Sequence, residues 1–131
     1  MTLLKKHLAF TLVEIFIVFA VIAILVILSM PNIMRVRVSM NHTQAKAALK
    51  AIGTALESYA SDHGAYPSGP SYLLGSDPSY LDINYFEGEH NGYLFAATLD
   101  LYSYTLMAEP VSEYAGIKTF ILHTGVVFEE G

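Results

Sequence analysis

The chain has 131 residues, which suits one small folded unit, and it contains no cysteine, so disulfides and thiolate-bound zinc are excluded. Its net charge is −5, and six of the seven Lys and Arg residues precede residue 51, whereas eleven of the twelve Asp and Glu residues follow it. Phosphate contacts need clustered basic side chains, so we expect no nucleic acid to bind the acidic later part of the chain.

The first predicted element is an apolar segment, residues 10–34, in which Glu14 is the one charged side chain. A helix of this length would measure roughly 37 Å at about 1.5 Å per residue, and it could cross the roughly 30 Å hydrocarbon core of a bilayer. We therefore expect a single-pass membrane segment. A cleaved secretory signal peptide is the competing interpretation, but the run exceeds the usual apolar region of about 7–15 residues, and no small-x-small cleavage site closes it.

A carboxylate inside an apolar segment is costly, by about 2.5–3.5 kcal/mol at the membrane centre on insertion scales, and such acids usually have a function. Glu14 lies about one helical turn from the start of the segment, so it could instead reach interfacial water. Both interpretations stay open on these residues alone. The flanking charges do not orient the segment, because Lys5 and Lys6 before it are matched by Arg35 and Arg37 after it.

Pro31 lies inside the helical pattern and removes one backbone hydrogen bond, so we expect a helix kink there. The pattern does not end at Pro31, because an apolar stripe with spacings of three and four residues follows. The stripe consists of Ala45, Ala48, Leu49, Ile52, Leu56 and Tyr59. We predict one helix from about residue 10 to residue 62, in which residues 35–63 form the extramembrane part.

Two glycines lie within or at the end of this predicted helix. Gly53 costs about 1 kcal/mol relative to Ala, and it marks either close packing or a flexible point. Gly64 follows Asp62 and His63, a combination typical of a left-handed C-cap with a basic side chain in the last turn. Off the apolar stripe lie Lys46, Lys50 and Glu57.

Residues 64–92 are rich in Gly, Pro, Ser and Tyr, which predicts a loop with short helical turns, one of them starting at Asp77-Pro78. The acidic residues of this loop could in principle hold calcium. They are Asp77, Asp82, Glu87 and Glu89. Their spacing matches no compact calcium loop, so a solvated acidic surface is favoured, and no metal or cofactor is expected.

Strands are predicted from Tyr93 onward, because side chains alternate with period two in residues 93–98 and 102–108. Two shorter runs, residues 120–122 and 126–128, flank a predicted hairpin turn at His123-Thr124-Gly125. Three or four antiparallel strands could cover the apolar stripe of the helix and leave their other face in water. The expected fold class is α+β, a long N-terminal helix packed on a small antiparallel sheet of three to four strands.

The region around Glu14 resembles the processing site of type IV pilins and of the pseudopilins of type II secretion. In that family a short basic leader ends in a small residue, usually Gly, which is followed by Phe and by a Glu at the fifth place of the mature chain. The matching residues here are Ala9, Phe10, Thr11, Leu12, Val13 and Glu14, after a leader of residues 1–9 that contains Lys5 and Lys6. The resemblance is tight over residues 5–40 and looser at residues 64–67 and 92–93.

The resemblance implies a pilin fold for residues 64–131 with the preceding helix. It implies that a prepilin peptidase and methyltransferase cuts between Ala9 and Phe10 and methylates the new amine of Phe10. Glu14 would then pair with the amine of a neighbouring copy, and Pro31 would bend the helix. The expected partners are further copies in a helical filament and an inner-membrane assembly platform with an ATPase motor. The globular domain would lie in the periplasm or outside.

The function predicted on this basis is a structural subunit of a type IV pilus-like filament or of a type II secretion pseudopilus. Basic residues between 35 and 50 are expected to meet acidic faces of adjacent subunits. A minor subunit that primes or tips the filament shares these features, although the presence of Glu14 favours a body subunit. The alternative is a monomeric single-pass membrane protein with a small periplasmic binding domain. An enzyme is not expected, because the sequence shows no nucleophile–base pair, phosphate loop or metal set.

Overall fold

The computed structural model describes residues 10–130. The predicted leader, residues 1–9, and with it Ala9, lies outside the described residues. The first element is a long helix, α1 (Leu12–His63), and a short helix, α2 (Ser71–Leu74), follows it. Four strands complete the chain: β1 (Tyr93–Leu99), β2 (Tyr104–Pro110), β3 (Phe120–His123) and β4 (Val127–Glu130).

The strands form one antiparallel sheet in the order β1-β2-β3-β4, so each strand pairs with its neighbour in sequence. The predicted α+β fold, a long helix packed on an antiparallel sheet, is confirmed, and the sheet has four strands. The chain divides into two compact units, one that ends at Val36 and one that begins at Arg37. We call their described parts the N-terminal unit (residues 10–36) and the C-terminal unit (residues 37–130).

The core of the C-terminal unit contains the predicted apolar stripe of α1. Its buried helix residues are Ala45, Ala48, Leu49, Ile52, Gly53, Ala55 and Leu56. The sheet contributes alternate residues of one face, namely Tyr93, Phe95, Tyr104, Leu106, Ala108, Phe120 and Leu122. Side chains return to the same face every 3.6 residues in a helix and every two residues in a strand, so each element buries one face. Each fully buried Leu or Ile stabilises the fold by about 1.5–3 kcal/mol.

Gly53 is a point of close packing. A Cβ atom built on Gly53 would lie 2.6 Å from Cδ2 of Leu122, which is itself fully buried in β3. The absence of a side chain at residue 53 therefore lets α1 approach the sheet, and the packing interpretation of this glycine is confirmed over the flexible one.

The C-terminus of α1 also matches its prediction. Gly64 has φ +80°, and its N–H donates to the carbonyl of Ala60 at 2.7 Å. The His63 Nδ1 atom lies 3.1 Å from the Tyr59 carbonyl, and the two rings stack with centroids 4.0 Å apart. These contacts provide partners for carbonyl groups that the end of a helix leaves without intrahelical donors.

The prediction that Asp77-Pro78 starts a helical turn is wrong. The helical turn is α2, and the Asp77–Pro78 peptide bond, which is cis, lies in a bend beyond it. Leu73 explains the position of α2, because its side chain is fully buried and its carbonyl accepts hydrogen bonds from the N–H groups of Tyr80 and Leu81. Burial of Leu73 thus outweighs the local preference of an Asp-Pro pair.

The observed start of β2 and the observed β3–β4 turn differ from their predicted positions by two residues and one residue, respectively. Strand β2 begins at Tyr104 rather than Tyr102, because Asp100 and Ser103 close a turn through a 2.9 Å backbone hydrogen bond. His123 belongs to β3 and pairs with Val127, so the second turn occupies residues 124–126. A positive φ of 62° at Val126 is strained for a β-branched residue.

Candidate functional site

The N-terminal unit is a helix whose apolar side chains have no cover within the described chain. Every residue from Phe10 to Arg37 is exposed, including large side chains such as Phe16, Phe19 and Leu25. The helix is long and apolar enough to cross a membrane, judged by length and composition. Exposure of so large an apolar surface to water is unfavourable, so we expect lipid or other protein chains to cover it.

Glu14 closes a reciprocal cap at the start of α1. The backbone N–H of Thr11 donates to the Glu14 carboxylate at 3.0 Å, and the Glu14 N–H donates to the Thr11 hydroxyl at 3.3 Å. This is the capping box, in which Thr is the N-cap residue and Glu is the third residue of the helix. It provides partners for two of the N–H groups that no intrahelical carbonyl can reach.

The cap gives Glu14 a role inside its own chain. A carboxylate in the first turn is also stabilised by the positive end of the helix dipole. Phe10, the predicted methylation site, directly precedes the Thr11 N-cap and is exposed. A cut between Ala9 and Phe10 would therefore create an amine one residue from the Glu14 cap. The sequence analysis missed this cap, although Thr11 and Glu14 have the Thr-x-x-Glu spacing that identifies it.

Pro31 lies within α1, and residues on both sides of it are helical. A helix ending at Met30 is therefore excluded, whereas the kink at Pro31 stays a prediction. A proline has no N–H, so the Ile27 carbonyl lacks its usual helical donor. Nearby, the Ser29 hydroxyl donates to the Leu25 carbonyl at 2.7 Å, which gives this polar side chain a partner within the helix.

In the C-terminal unit, Glu57 is the polar residue that connects most elements, and the sequence analysis placed it merely off the apolar stripe. Its Oε1 atom accepts hydrogen bonds from the Tyr66 and Tyr104 hydroxyls, each at 3.1 Å, and from the Gly125 N–H at 3.0 Å. We call these four residues the Glu57 cluster. Glu57 lies four residues after the buried Gly53, so spacing alone could have placed it beside the core.

The Glu57 cluster joins α1, the loop after it, β2 and the β3–β4 turn. Burial raises the pKa of the Tyr104 hydroxyl to about 12, with the Glu57 carboxylate acting in the same direction. The pKa of Tyr66 is raised by burial and by its hydrogen bond to Glu57. Both hydroxyls therefore stay protonated at neutral pH and can keep donating to Glu57. The Tyr104 hydroxyl also accepts the N–H of the strained Val126 at 3.3 Å.

A charged group also links α1 to β4. Glu130 pairs with Lys46 of α1 and, at 3.3 Å, with Lys118, and these hydrogen bonds hold the pKa of Glu130 below its ordinary value. Lys46 also lies 5.0 Å from the centre of the Phe120 ring. Lys46 thus has an acidic partner in its own chain, whereas Arg35, Arg37 and Lys50 are exposed. The contacts of basic residues with adjacent subunits stay a prediction.

The acidic loop residues lie on the surface. Asp77, Asp82, Glu87 and Glu89 are all exposed. Asp82 accepts a hydrogen bond from the Ser79 hydroxyl, and Glu87 accepts one from the Asn84 amide. Within residues 10–130, no three or more His, Asp or Glu side chains are grouped so that they could hold a metal ion.

Comparisons with protein-family models, with curated proteins and with solved structures find no match for this chain. The resemblance to pilins and pseudopilins therefore depends on the residues of the chain itself, above all on the Ala9-Phe10 junction and on Glu14.

Proposed function

We propose that the chain is a structural subunit of a type IV pilus-like filament or of a type II secretion pseudopilus. In this proposal the precursor is cleaved after Ala9, methylated at Phe10 and polymerised through its apolar helix. One observation carries the proposal: the junction motif with Glu14 at the fifth place directly precedes an apolar helix whose side chains are all exposed in the single chain.

The physical basis is an exchange of one apolar environment for another. Residues 10–34 would wait in the inner membrane, covered by lipid, and would then be covered by the same residues of neighbouring copies in a helical filament. Because both environments bury the same apolar surface, the net cost of extraction is smaller than transfer into water would be. An ATPase motor on an assembly platform would drive the step, and the C-terminal unit would be displayed in the periplasm or outside.

Glu14 would set the register between copies. After cleavage, the methylated amine of Phe10 remains a cation, and a Glu14 carboxylate of an adjacent copy is an opposite charge in an environment with little water. An opposite charge at close range favours the charged form of both groups. Replacing one of them would leave the other charge without a partner among apolar side chains.

The capping box supports a second candidate, a monomeric single-pass membrane protein with a small periplasmic binding domain. Thr11 already provides hydrogen-bonding partners for Glu14 within one chain, so the carboxylate has a structural role that needs no neighbouring copy. In this candidate the N-terminus stays uncut and the helix serves only to hold the protein in the membrane.

The mature N-terminus separates the two candidates. The full chain is expressed with a prepilin peptidase, and its N-terminal peptide is identified by mass spectrometry. The filament proposal expects a peptide that begins at N-methylated Phe10. A chain that still begins at Met1 contradicts it and favours the monomeric protein.

Two variants of Ala9 control for the peptidase. Ala9→Gly restores the small residue most usual in the family and is expected to be cut at least as fast as the natural chain. Ala9→Leu places a large side chain at the cut and is expected to stay uncut. If all three chains are processed alike, the cleavage does not depend on this motif. Deleting the gene and scoring secretion against surface motility then separates pseudopilus from pilus.

A further inference from the structure

A pocket opens on the surface of the C-terminal unit, between α1, the loop that precedes β1, and β1 itself. Its volume is about 310 Å³, at the small end of the roughly 300–1,000 Å³ that is typical of ligand sites. Ala47 and Ala48 line it from α1, and their short side chains leave open a space that larger ones would fill. A space of this size suits a ligand of one ring.

Three of the lining side chains are aromatic rings that contact one another. The Tyr85 ring centroid lies 5.6 Å from that of Phe95 and 5.3 Å from that of His90. Aromatic rings attract one another at such distances, and Phe95 is itself buried in the core. The rings therefore form a supported apolar surface on which the C–H groups of a ligand ring can pack.

The His90 ring is fixed in orientation and in tautomer. Its Nε2 atom lies 2.9 Å from the Asn84 carbonyl oxygen and 3.2 Å from the Glu87 carbonyl oxygen. Because a carbonyl only accepts, Nε2 carries the hydrogen, and Nδ1 of the neutral ring is left as an acceptor. The backbone is fixed as well, since His90 and Tyr93 exchange two N–H to carbonyl bonds of 3.0 Å each. A site that is ordered before its ligand arrives loses little conformational entropy on binding.

Two exposed amide side chains, Gln44 on α1 and Asn91 before β1, complete the lining. Each amide can donate and accept hydrogen bonds. Asn91 and Gly92 both have a positive φ, 52° and 78°, so they form the centre of a tight turn between His90 and Tyr93. This turn places Asn91 at the rim of the pocket.

Charged side chains are missing from the lining. Among residues 10–130, no Asp, Glu, Lys or Arg lines the pocket. An ion that entered would lose water without gaining an opposite charge, so the lining favours a neutral ligand. A purely apolar ligand would leave the two amides without partners. A sugar ring satisfies both demands, because its faces carry C–H groups and its edge carries neutral hydroxyls that donate and accept.

We propose that this pocket binds a neutral sugar residue, whose ring packs on the aromatic side chains while its hydroxyls bond to Gln44 and Asn91. All lining residues belong to the C-terminal unit. The inference therefore goes beyond the proposed function and applies equally to a filament subunit and to a monomeric membrane protein.

The test uses the full chain in dodecylphosphocholine micelles, because detergents with sugar headgroups would compete for the pocket. Binding is measured by saturation-transfer-difference NMR with the methyl glycosides of glucose, galactose, mannose and N-acetylglucosamine. At least one of them is expected to bind with a dissociation constant in about the millimolar range, as suits so small a ligand. The methyl glycosides of glucuronic acid and glucosamine, which are charged, are expected to bind at least tenfold more weakly. Absence of binding by all four neutral glycosides at tens of millimolar overturns the proposal, and so does equal binding of the charged ones.

Three variants locate the binding. Ala47→Leu fills the pocket and is expected to weaken binding at least tenfold, whereas Ala51→Leu makes the same change at an exposed position of α1 outside the lining and is expected to leave it unchanged. Asn91→Gly removes one amide, suits the positive φ, and is expected to weaken binding severalfold. Near-ultraviolet circular dichroism checks that each variant is folded. Equal binding by Ala47→Leu and Ala51→Leu places the sugar elsewhere and overturns the proposal.

The trisaccharide of the sugar that binds best distinguishes two sources of the ligand. Tighter binding of the trisaccharide assigns the pocket to a residue within a polysaccharide, and equal binding assigns it to a single sugar or a chain end. Both results support the site. Neither depends on cleavage after Ala9, so failure of the filament proposal and failure of this inference are seen in separate measurements.

Discussion

The two halves of α1 differ in the pattern of their apolar residues and in their surroundings. In the N-terminal unit every side chain is exposed, whereas in the C-terminal unit a stripe of the same helix is buried against the sheet. The difference follows from the pattern of apolar residues. Apolar side chains all around residues 10–34 cannot be covered by one small sheet, but a stripe with spacings of three and four can. The first half therefore depends on lipid or on other chains, and the second half is stable through its own chain.

The largest expected effect concerns assembly of the N-terminal half. Under the filament proposal, Glu14→Ala and Glu14→Gln both abolish filaments, because each removes the charge that pairs with the Phe10 amine of a neighbouring copy. Filament yield is counted by electron microscopy after shearing, with the membrane level of each variant measured alongside.

Glutamine also suits the third position of a capping box, so Glu14→Gln separates the two roles of this side chain. Thr11→Ala is the matched variant, because it weakens the cap by about 1 kcal/mol and keeps the charge. It is expected to assemble. Normal filaments from Glu14→Gln, combined with loss in Glu14→Ala and Thr11→Ala, would show that the cap matters and the charge pair does not.

The next effect concerns stability of the C-terminal half. Leu49→Ala removes a fully buried side chain and is expected to lower the free energy of unfolding by about 3 kcal/mol, as other buried Leu→Ala changes do. Leu25→Ala in the exposed half is the control, with an expected change within about 0.5 kcal/mol. Urea unfolding of the full chain in detergent, followed by near-ultraviolet circular dichroism, measures both. Equal losses would contradict the contrast between the two halves.

A smaller loss is expected at the Glu57 cluster. Glu57→Ala leaves two tyrosine hydroxyls and the Gly125 N–H without their acceptor, at a cost of about 2 kcal/mol. Glu57→Gln keeps an acceptor oxygen and is expected to lose about half as much. Glu109→Ala removes an exposed carboxylate of the sheet and should be nearly neutral. The same unfolding measurement applies, and a neutral Glu57→Ala would mean that the cluster contributes nothing to stability.

The smallest effect is a dependence of stability on pH through His42. Burial, followed by the charges of Lys118 and Lys46, lowers the pKa of His42 from its ordinary 6.5, while Glu130 acts in the opposite direction. The unfolded chain therefore binds the proton first, and the free energy of unfolding should fall as the pH drops below 6.5 toward the folded pKa. The Ile117 N–H also needs an unprotonated Nε2 as its acceptor.

His42→Gln is expected to remove that part of the pH dependence and leave the part below 4.5, where the lowered pKa of Glu130 makes its protonation destabilising. Unfolding curves between pH 7 and pH 4 measure the difference. An unchanged slope in His42→Gln would assign the dependence to other groups.

Local patterns predicted most of the architecture, because they report which face of an element is apolar. The spacing from Ala45 to Leu56 placed the buried face of α1, and the alternation after Tyr93 placed the sheet. The predicted helical turn was misplaced, because the prediction used the local Asp-Pro pattern and could not take the burial of Leu73 into account. The capping box could have been predicted from the sequence, because Thr11 and Glu14 are three positions apart.

The sequence by itself determined the membrane-length apolar helix, its lone carboxylate and the α+β order of elements, since each is a local pattern of polar and apolar side chains. Tertiary structure alone decided the roles of Glu57 and of Gly53. Glu57 meets Tyr104 and Gly125 from 47 and 68 residues away, and Asn41 holds Ala115 from 74 residues away. Contacts across such separations depend on how the sheet lies against the helix, which no local spacing encodes.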